Sequence, residues 1–407
     1  MGEQGVLRER ARIRQAPRTD RLRELDEGSA DLVDRLLEVA RRGLPGMQMP
    51  EGTACFTRRF SPARVVAAPE GWSLRYTAIT VLGARHLDPA GQRELLAGRT
   101  VGEVCDVLVD RLPSTDSVGD AALTVWAAAA CGHDGLGRAL DALDAADADG
   151  GPRYVVDLAW VVSALVAARS AVDVEERLAR ARTRLLGVLT GTGQLFGHVT
   201  GPGLVPPYRS HVGCFADQVY PIQALARLHH SAADPQALAA AERCAERICT
   251  LQGPGGQWWW HYDARTGNVV EGYPVYSVHQ YAMAPMALLD LADAGGRVDL
   301  EAIGRGLAWM VAPPETDEPL ILDKQGLTVR KVARRDPRRL VRGIRAVGTG
   351  ISPRLRLRAL DRLWPPTTVD RECRPYELGW LLDCWLTPQQ AGQPVLPTET
   401  IRIDAVK

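Results

Sequence analysis

Apolar positions along the chain fall into two alternating patterns. In the first, apolar residues recur at every third or fourth position and Arg and Glu fill the opposite face: 31–43, 92–111, 134–146, 173–189, 235–251 and 299–311. That spacing predicts helices with one buried stripe and one face in water. In the second, the segments are apolar nearly all round and rich in small residues: 72–86, 117–131, 157–169, 215–229, 277–292 and 376–386. A helix apolar on every face must be buried on every face. Six outer and six inner helices in strict alternation predict an all-α fold of stacked hairpins, because one such hairpin cannot cover its own apolar face. Alternating β-branched positions are few, so strands are expected to contribute little.

This pattern, over about residues 30–390, resembles the alpha/alpha toroid, an (α/α)6 ring of six helical hairpins. Carbohydrate-active enzymes, squalene-type terpene cyclases and protein prenyltransferase beta chains share that architecture. The resemblance implies a closed ring with a catalytic or binding mouth; an open solenoid of helix pairs is the alternative. Gln252, Gly256 and Trp258, within QGPGGQW, resemble the QxxxGxW repeat of the cyclases but occur once. The acidic segments STDSVGD (114–120) and DAADADG (144–150) do not match the cyclases' DxDD, which counts against that chemistry.

The expected organisation is a charged N-terminal arm (1–28), the toroid (29–390) and a C-terminal tail (391–407). A basic, Pro-interrupted insert at 312–370 breaks the last hairpin, since seven prolines there rule out one long helix. Between Arg330 and Arg362 it carries twelve Lys or Arg against Asp336 and Asp361. That run is either a solvated face or a contact for phosphate groups or a membrane. The arginines and leucines at 354–360 lack clean amphipathic spacing, which weakens the membrane version.

Overall, 49 basic residues cancel 49 acidic ones, so nothing drives the protein onto nucleic acid. No stretch reaches 18 uncharged apolar residues and the first 20 contain no apolar signal segment. The eight cysteines lack paired spacing and read as reduced thiols. A cytoplasmic protein is the expectation.

In a closed ring the first turns of the inner helices line one mouth, with their amide ends pointing into it. Polar residues cluster there: Arg75 and Tyr76; Asp116 and Asp120; Asp157; His211, Asp217 and Gln218; Tyr276, Ser277, His279 and Gln280; Arg374, Tyr376 and Glu377. Asp116 and Asp157 are expected to be helix caps. The densest aromatic stretch holds Trp258, Trp259, Trp260, Tyr262, Tyr273 and Tyr276. Three consecutive tryptophans cannot all pack inward, so at least one should face a cleft as a platform for a sugar ring or an isoprenoid.

The catalytic candidates are therefore Asp217, Glu271, His279, His261, Tyr276 and Glu377. The substrate-binding candidates are Trp258, Trp259, Trp260, Tyr262, Tyr273, His211, Arg75, Tyr76, Gln280 and Tyr376. No cofactor is expected. The prenyltransferase resemblance implies one zinc set, Cys214, Asp217 and His279, although the order Cys-x-x-Asp departs from that family's Asp-x-Cys.

The leading functional expectation is an enzyme acting on a carbohydrate or uronic acid as an epimerase, lyase or hydrolase, by carboxylate, His and Tyr acid–base chemistry. An isoprenoid-handling enzyme and a non-catalytic glycan- or peptide-binding toroid are the alternatives.

Overall fold

The computed structural model describes residues 18–189, 191–335, 340–352, 355, 357 and 359–388. Most of the arm and the tail at 391–407 lie outside them. After α1 (Arg18–Leu25), α2 (Glu27–Gly43) runs outside and α3 (Leu74–Ala84) inside. The short α4 (Pro89–Leu95) and α5 (Val101–Arg111) are outer, α6 (Val118–Cys131) is inner and α7 (Leu136–Ala146) outer. The alternation continues with α8 (Val155–Ala168) inside, α9 (Glu175–Leu186) outside, α10 (Ala216–Ala232) inside and α11 (Pro235–Thr250) outside. Then α12 (Ala284–Asp293) is inner and α13 (Glu301–Trp309) outer. The insert supplies α14 (Leu340–Ile351) and α15 (Ala359–Leu363), and α16 (Pro375–Leu386) completes the inner set.

The inner helices pack in a closed circuit: α3 on α6, α6 on α8, α8 on α10, α10 on α12, and α12 through α16 back to α3. The ring is closed, and the fold is the alpha/alpha toroid. Local signals set the helix starts. Asp26 accepts the Gly28 N–H at the start of α2, and Thr100 with Glu103 forms a reciprocal cap on α5. Pro285 has no N–H for the Tyr281 carbonyl one turn back, and the Trp385 indole N–H of α16 takes that carbonyl instead, at 2.7 Å. The ring's centre is filled by Trp126, Trp160, Tyr220 and Trp380, with the Trp380 indole donating to the Tyr220 hydroxyl at 2.9 Å.

Close approach of α3 and α16 depends on glycine. A Cβ on Gly83 would lie 2.4 Å from the Gly379 carbonyl oxygen. Gly83→Ala is accordingly expected to destabilise the fold by about 1–3 kcal/mol, since rigid backbone must move. The check is a lower denaturant midpoint at unchanged slope; an unchanged midpoint would contradict the crossing.

Short strands lead into the first turns of the inner helices, a feature the hydrophobic pattern did not predict. They are β1 (Arg58–Arg59), β2 (Val212–Cys214), β3 (His261–Asp263), β4 (Asn268–Glu271), β5 (Val275–Tyr276), β6 (Ile321–Leu322), β7 (Leu327–Thr328), β8 (Lys331–Ala333), β9 (Thr368–Asp370) and β10 (Glu372–Cys373). The sheets are β2-β3-β4, β5-β8-β9, β1-β10 and the β6-β7 hairpin, all antiparallel. Pairing of β5 with β8 sets Tyr276 opposite Lys331, so the insert is built into the mouth.

In the described part of the arm Arg18 and Thr19 are buried, whereas Asp20, Arg23, Glu24 and residues 26–28 are exposed. The Arg18 guanidinium is paired to Asp290 and Asp293. All eight cysteines are free. No helix among the described residues is long and apolar enough to cross a membrane.

Candidate active site

The first turns of the inner helices meet in one connected circuit. Arg75, on α3, reaches Asp120 of α6 at 2.9 Å and Asp157 of α8 at 3.8 Å, and its guanidinium lies over Trp160. Gly119 makes room for this arrangement, since a Cβ there would stand 2.3 Å from Asp157 Oδ1. Neither expected cap holds: Ser117 caps α6 in place of Asp116, and Asp157 sits inside the first turn of α8, whose N-cap position is Tyr154. Asp157 is thus a mouth carboxylate without a capping duty.

Next around the ring is Asp217, fully buried in the first turn of α10. Its Oδ2 accepts the Cys214 N–H at 2.6 Å and lies 2.7 Å from His198 Nδ1. Among the described residues its Oδ1 has no hydrogen-bond partner. The third arc is aromatic. The Trp260 ring stacks on His279, with centroids 5.7 Å apart at 14°, and lies tilted at 44° against Tyr276 at 4.8 Å. Arg330 and Lys331 lie over the Tyr276 face. The circuit returns through Glu372, shared by Arg330 and Arg374, to the Tyr76 hydroxyl, 2.9 Å from Arg374, and to Tyr376 stacked on Tyr76 at 4.7 Å.

Electrostatics divide the titratable groups. Burial raises the Asp157 pKa from its ordinary 3.8; Arg75 opposes this, while Asp120 and Asp217 reinforce it. For His198 burial works against the charge, but the Asp217 carboxylate outweighs it and holds the imidazole above its ordinary 6.5. His279 is pushed down to about 3 by burial, with Arg330 adding to the effect. Burial drives His261 well below the usual range, with Arg342 and Arg209 adding to it. Glu377 is raised to about 7 by burial, opposed by Arg330.

The structure therefore sorts the expected residues. It brings Asp217, Tyr276, His279, Trp260, Arg75, Tyr76 and Tyr376 into the one circuit. Glu377 is beneath it, fully buried with Arg330 Nε 3.4 Å away. Glu271 is fully buried in a different role, pairing with Arg334 and Arg345, which also share Asp361. The insert's cationic run is in this way partly consumed internally. Trp258 and Tyr262 are core residues, with Trp258 against Phe215. Trp259 packs edge-on against Tyr273, whose hydroxyl donates to Glu315 at 2.8 Å. Gln280 is structural: its amide donates to the Tyr276 carbonyl and its oxygen accepts the Trp258 N–H. His211 bonds Thr349 of α14, and the His261 ring is buried beside Trp260.

The sequence pattern did not single out His198, and it marked Arg330 and Lys331 only as part of the insert's basic run. His198 arrives by a backbone link, the Val155 N–H donating to its carbonyl at 3.0 Å. Nothing in a Gly-rich loop signals that link. Among the described residues, the group whose donor atoms lie within 4.8 Å of one another is His198, Cys214 and Asp217. His198, rather than His279, thus stands with Cys214 and Asp217. Burial and Asp217 push the Cys214 thiol well up, so this donor set is a protonated thiol beside a carboxylate oxygen already holding two hydrogen bonds.

No protein-family model matches the chain, and no curated protein matches it. Solved structures do. The unsaturated glucuronyl hydrolase of Bacillus sp. GL1, responsible for the degradation of glycosaminoglycan, is 13% identical, with 89% of this chain and 99% of that chain covered at a TM-score of 0.55. An unsaturated glucuronyl hydrolase from Streptococcus agalactiae is 10% identical, covering 88% of this chain and 90% of that one at 0.53. At such identities the likeness establishes the toroid fold.

Proposed function

We propose that the protein is a toroid hydrolase acting on a carbohydrate that carries a uronic acid. The observation that carries this reading is the placement, in one mouth, of the Asp157 carboxylate and the His198–Asp217 couple beside an aromatic ledge. His198 donates through Nδ1 to Asp217 and keeps Nε2 for the reaction. Its raised pKa makes it the proton donor to the departing oxygen. Asp157, raised by burial but opposed by Arg75, is the carboxylate in this mouth that takes the proton from water in this reading.

Trp260 and Tyr276 offer a face for a sugar ring. Arg330 and Lys331 lie over the Tyr276 side of that face, paired with Glu372 and Asp370, where a sugar carboxylate would share them. The glucuronyl hydrolases of the same fold support a uronic-acid substrate. No observation favours isoprenoid chemistry: Arg334 and Arg345 of the basic run are held by Glu271 and Asp361 rather than presented as a diphosphate clamp.

The test is turnover of a panel comprising unsaturated uronyl disaccharides, saturated glucuronides and matched neutral glucosides. Hydrolysis of uronyl substrates in preference to neutral ones is expected. Equal turnover of the neutral set, or none of either, would remove the reading. Dialysis against a chelator is expected to leave turnover unchanged, because the acid–base scheme uses the His198–Asp217 pair directly; zinc-dependent recovery would replace the acid–base scheme with a metal one.

A further inference from the structure

We propose that the outward face of α14 is a docking surface for an anionic lipid bilayer. The helix is amphipathic in an inverted sense. Its inner side is fastened to the body by Ala346 in a cluster with Val212 and Val270, by Arg345 on Glu271 and Asp361, and by Thr349 on His211. Its outer side carries Leu340, Ile344, Val347 and Ile351, at helical spacing, with 47%, 36%, 44% and 80% of their surface in water. Adjoining Tyr208 is 49% exposed. These five make up over a third of the fourteen large apolar side chains exposed among the described residues. Scattered exposure of this kind is ordinary, but a continuous stripe is not. Its fastened inner side prevents the helix from turning the stripe inward.

Charge identifies the occupant. The sequence of α14 contains no Asp or Glu. A cleft of about 560 Å³ between Tyr208 and the stripe is lined by Arg209. Beyond the ends of the helix, Arg335 and Arg362 are exposed, and the acidic Asp361 is already paired by Arg334 and Arg345. An apolar stripe whose adjoining cleft is lined by Arg209 and Arg342 fits the boundary between acyl chains and anionic headgroups, where a helix lies in the plane of the surface. A second copy of this chain would meet the same cations and be repelled. The surface adjoins the mouth, because Thr349 of α14 bonds His211, the residue before β2, which leads into the first turn of α10. Docking would therefore hold the mouth over glycans presented at a bilayer.

The experiment is co-sedimentation of the full chain with phosphatidylcholine vesicles and with phosphatidylcholine–phosphatidylglycerol vesicles. Binding to the anionic vesicles alone is expected, falling as salt rises from about 0.1 M to about 1 M and the Debye length shrinks from roughly 10 to 3 Å. Ile344→Glu with Ile351→Glu should weaken partition by roughly tenfold or more, and Arg335→Ala with Arg362→Ala severalfold. Both pairs are exposed, so melting curves should match the parent; Ile344→Ser with Ile351→Ser serves if the glutamates perturb folding. Hydrolysis of a small soluble glycoside should be unchanged in all of them, which separates this proposal from the enzymatic one. Equal binding to both vesicle types, no binding to either, or a concentration-dependent dimer dissolved by the Ile344→Glu variant would overturn it.

Discussion

Asp157→Asn is expected to lower kcat by about 10²- to 10⁴-fold on a uronyl substrate, the usual worth of a positioned proton-transfer group. Binding should change little, because Arg75 retains Asp120 at 2.9 Å whereas Asp157 is 3.8 Å away. Stability should also hold: the carboxylate caps no helix, and asparagine has the same shape in the space above Gly119. The pH profile is the sharper readout. Asp157 works as a base only when ionised, so in the parent the rate rises as pH climbs through its raised pKa. His198 works as an acid only when protonated, so the rate falls as pH climbs through its pKa. In Asp157→Asn the rising limb disappears and the falling limb stays. His198→Gln should do the reverse. Loss of activity with both limbs intact would assign Asp157 a structural part only.

The second large effect concerns stability. Glu377 ionises at about 7 in the folded chain against 4.5 in the unfolded one. The folded state therefore holds its proton more tightly, and the stability this brings is complete below 4.5 and lost as pH rises to about 7. The loss is on the order of 3 kcal/mol at about 1.4 kcal/mol per unit. Glu377→Gln keeps an acceptor for the Arg374 N–H and leaves Arg330 its 2.5 Å partner Glu372. The variant should gain on the parent by that amount between pH 4.5 and 8, read from denaturant midpoints at each pH. Parallel curves would contradict the buried, neutral carboxyl.

What was legible locally and what was not can be followed residue by residue. The all-round apolar segment at 157–169 and the striped segment at 173–189 became α8 and α9, because a helix's own period reveals which faces must be covered. The polar first turns were legible too: Arg75 reaches Asp120 and Asp157, and Tyr76 lies against Tyr376. Roles were less so. Glu271 looked like a free carboxylate beside the tryptophans, and the partners that close it, Arg334 and Arg345, lie some 60 to 75 residues onward. The capping expected of Asp157 failed because capping depends on one residue's backbone geometry, which composition does not reveal. In the insert, the non-periodic leucines at 354–360 drew attention away from 340–351, where the stripe is clean.

The sequence by itself determined the six hairpins, the burial of one helix set and the position of a polar mouth, because helical period and cap chemistry act within a few residues. Only the tertiary structure decided which polar groups work and which are held. His198 reaches Asp217 through a loop, and Lys331 reaches Tyr276 through a strand pair 55 residues apart. Proton affinities follow from burial and from neighbours brought in across the ring, and those distances exist only once the ring has closed.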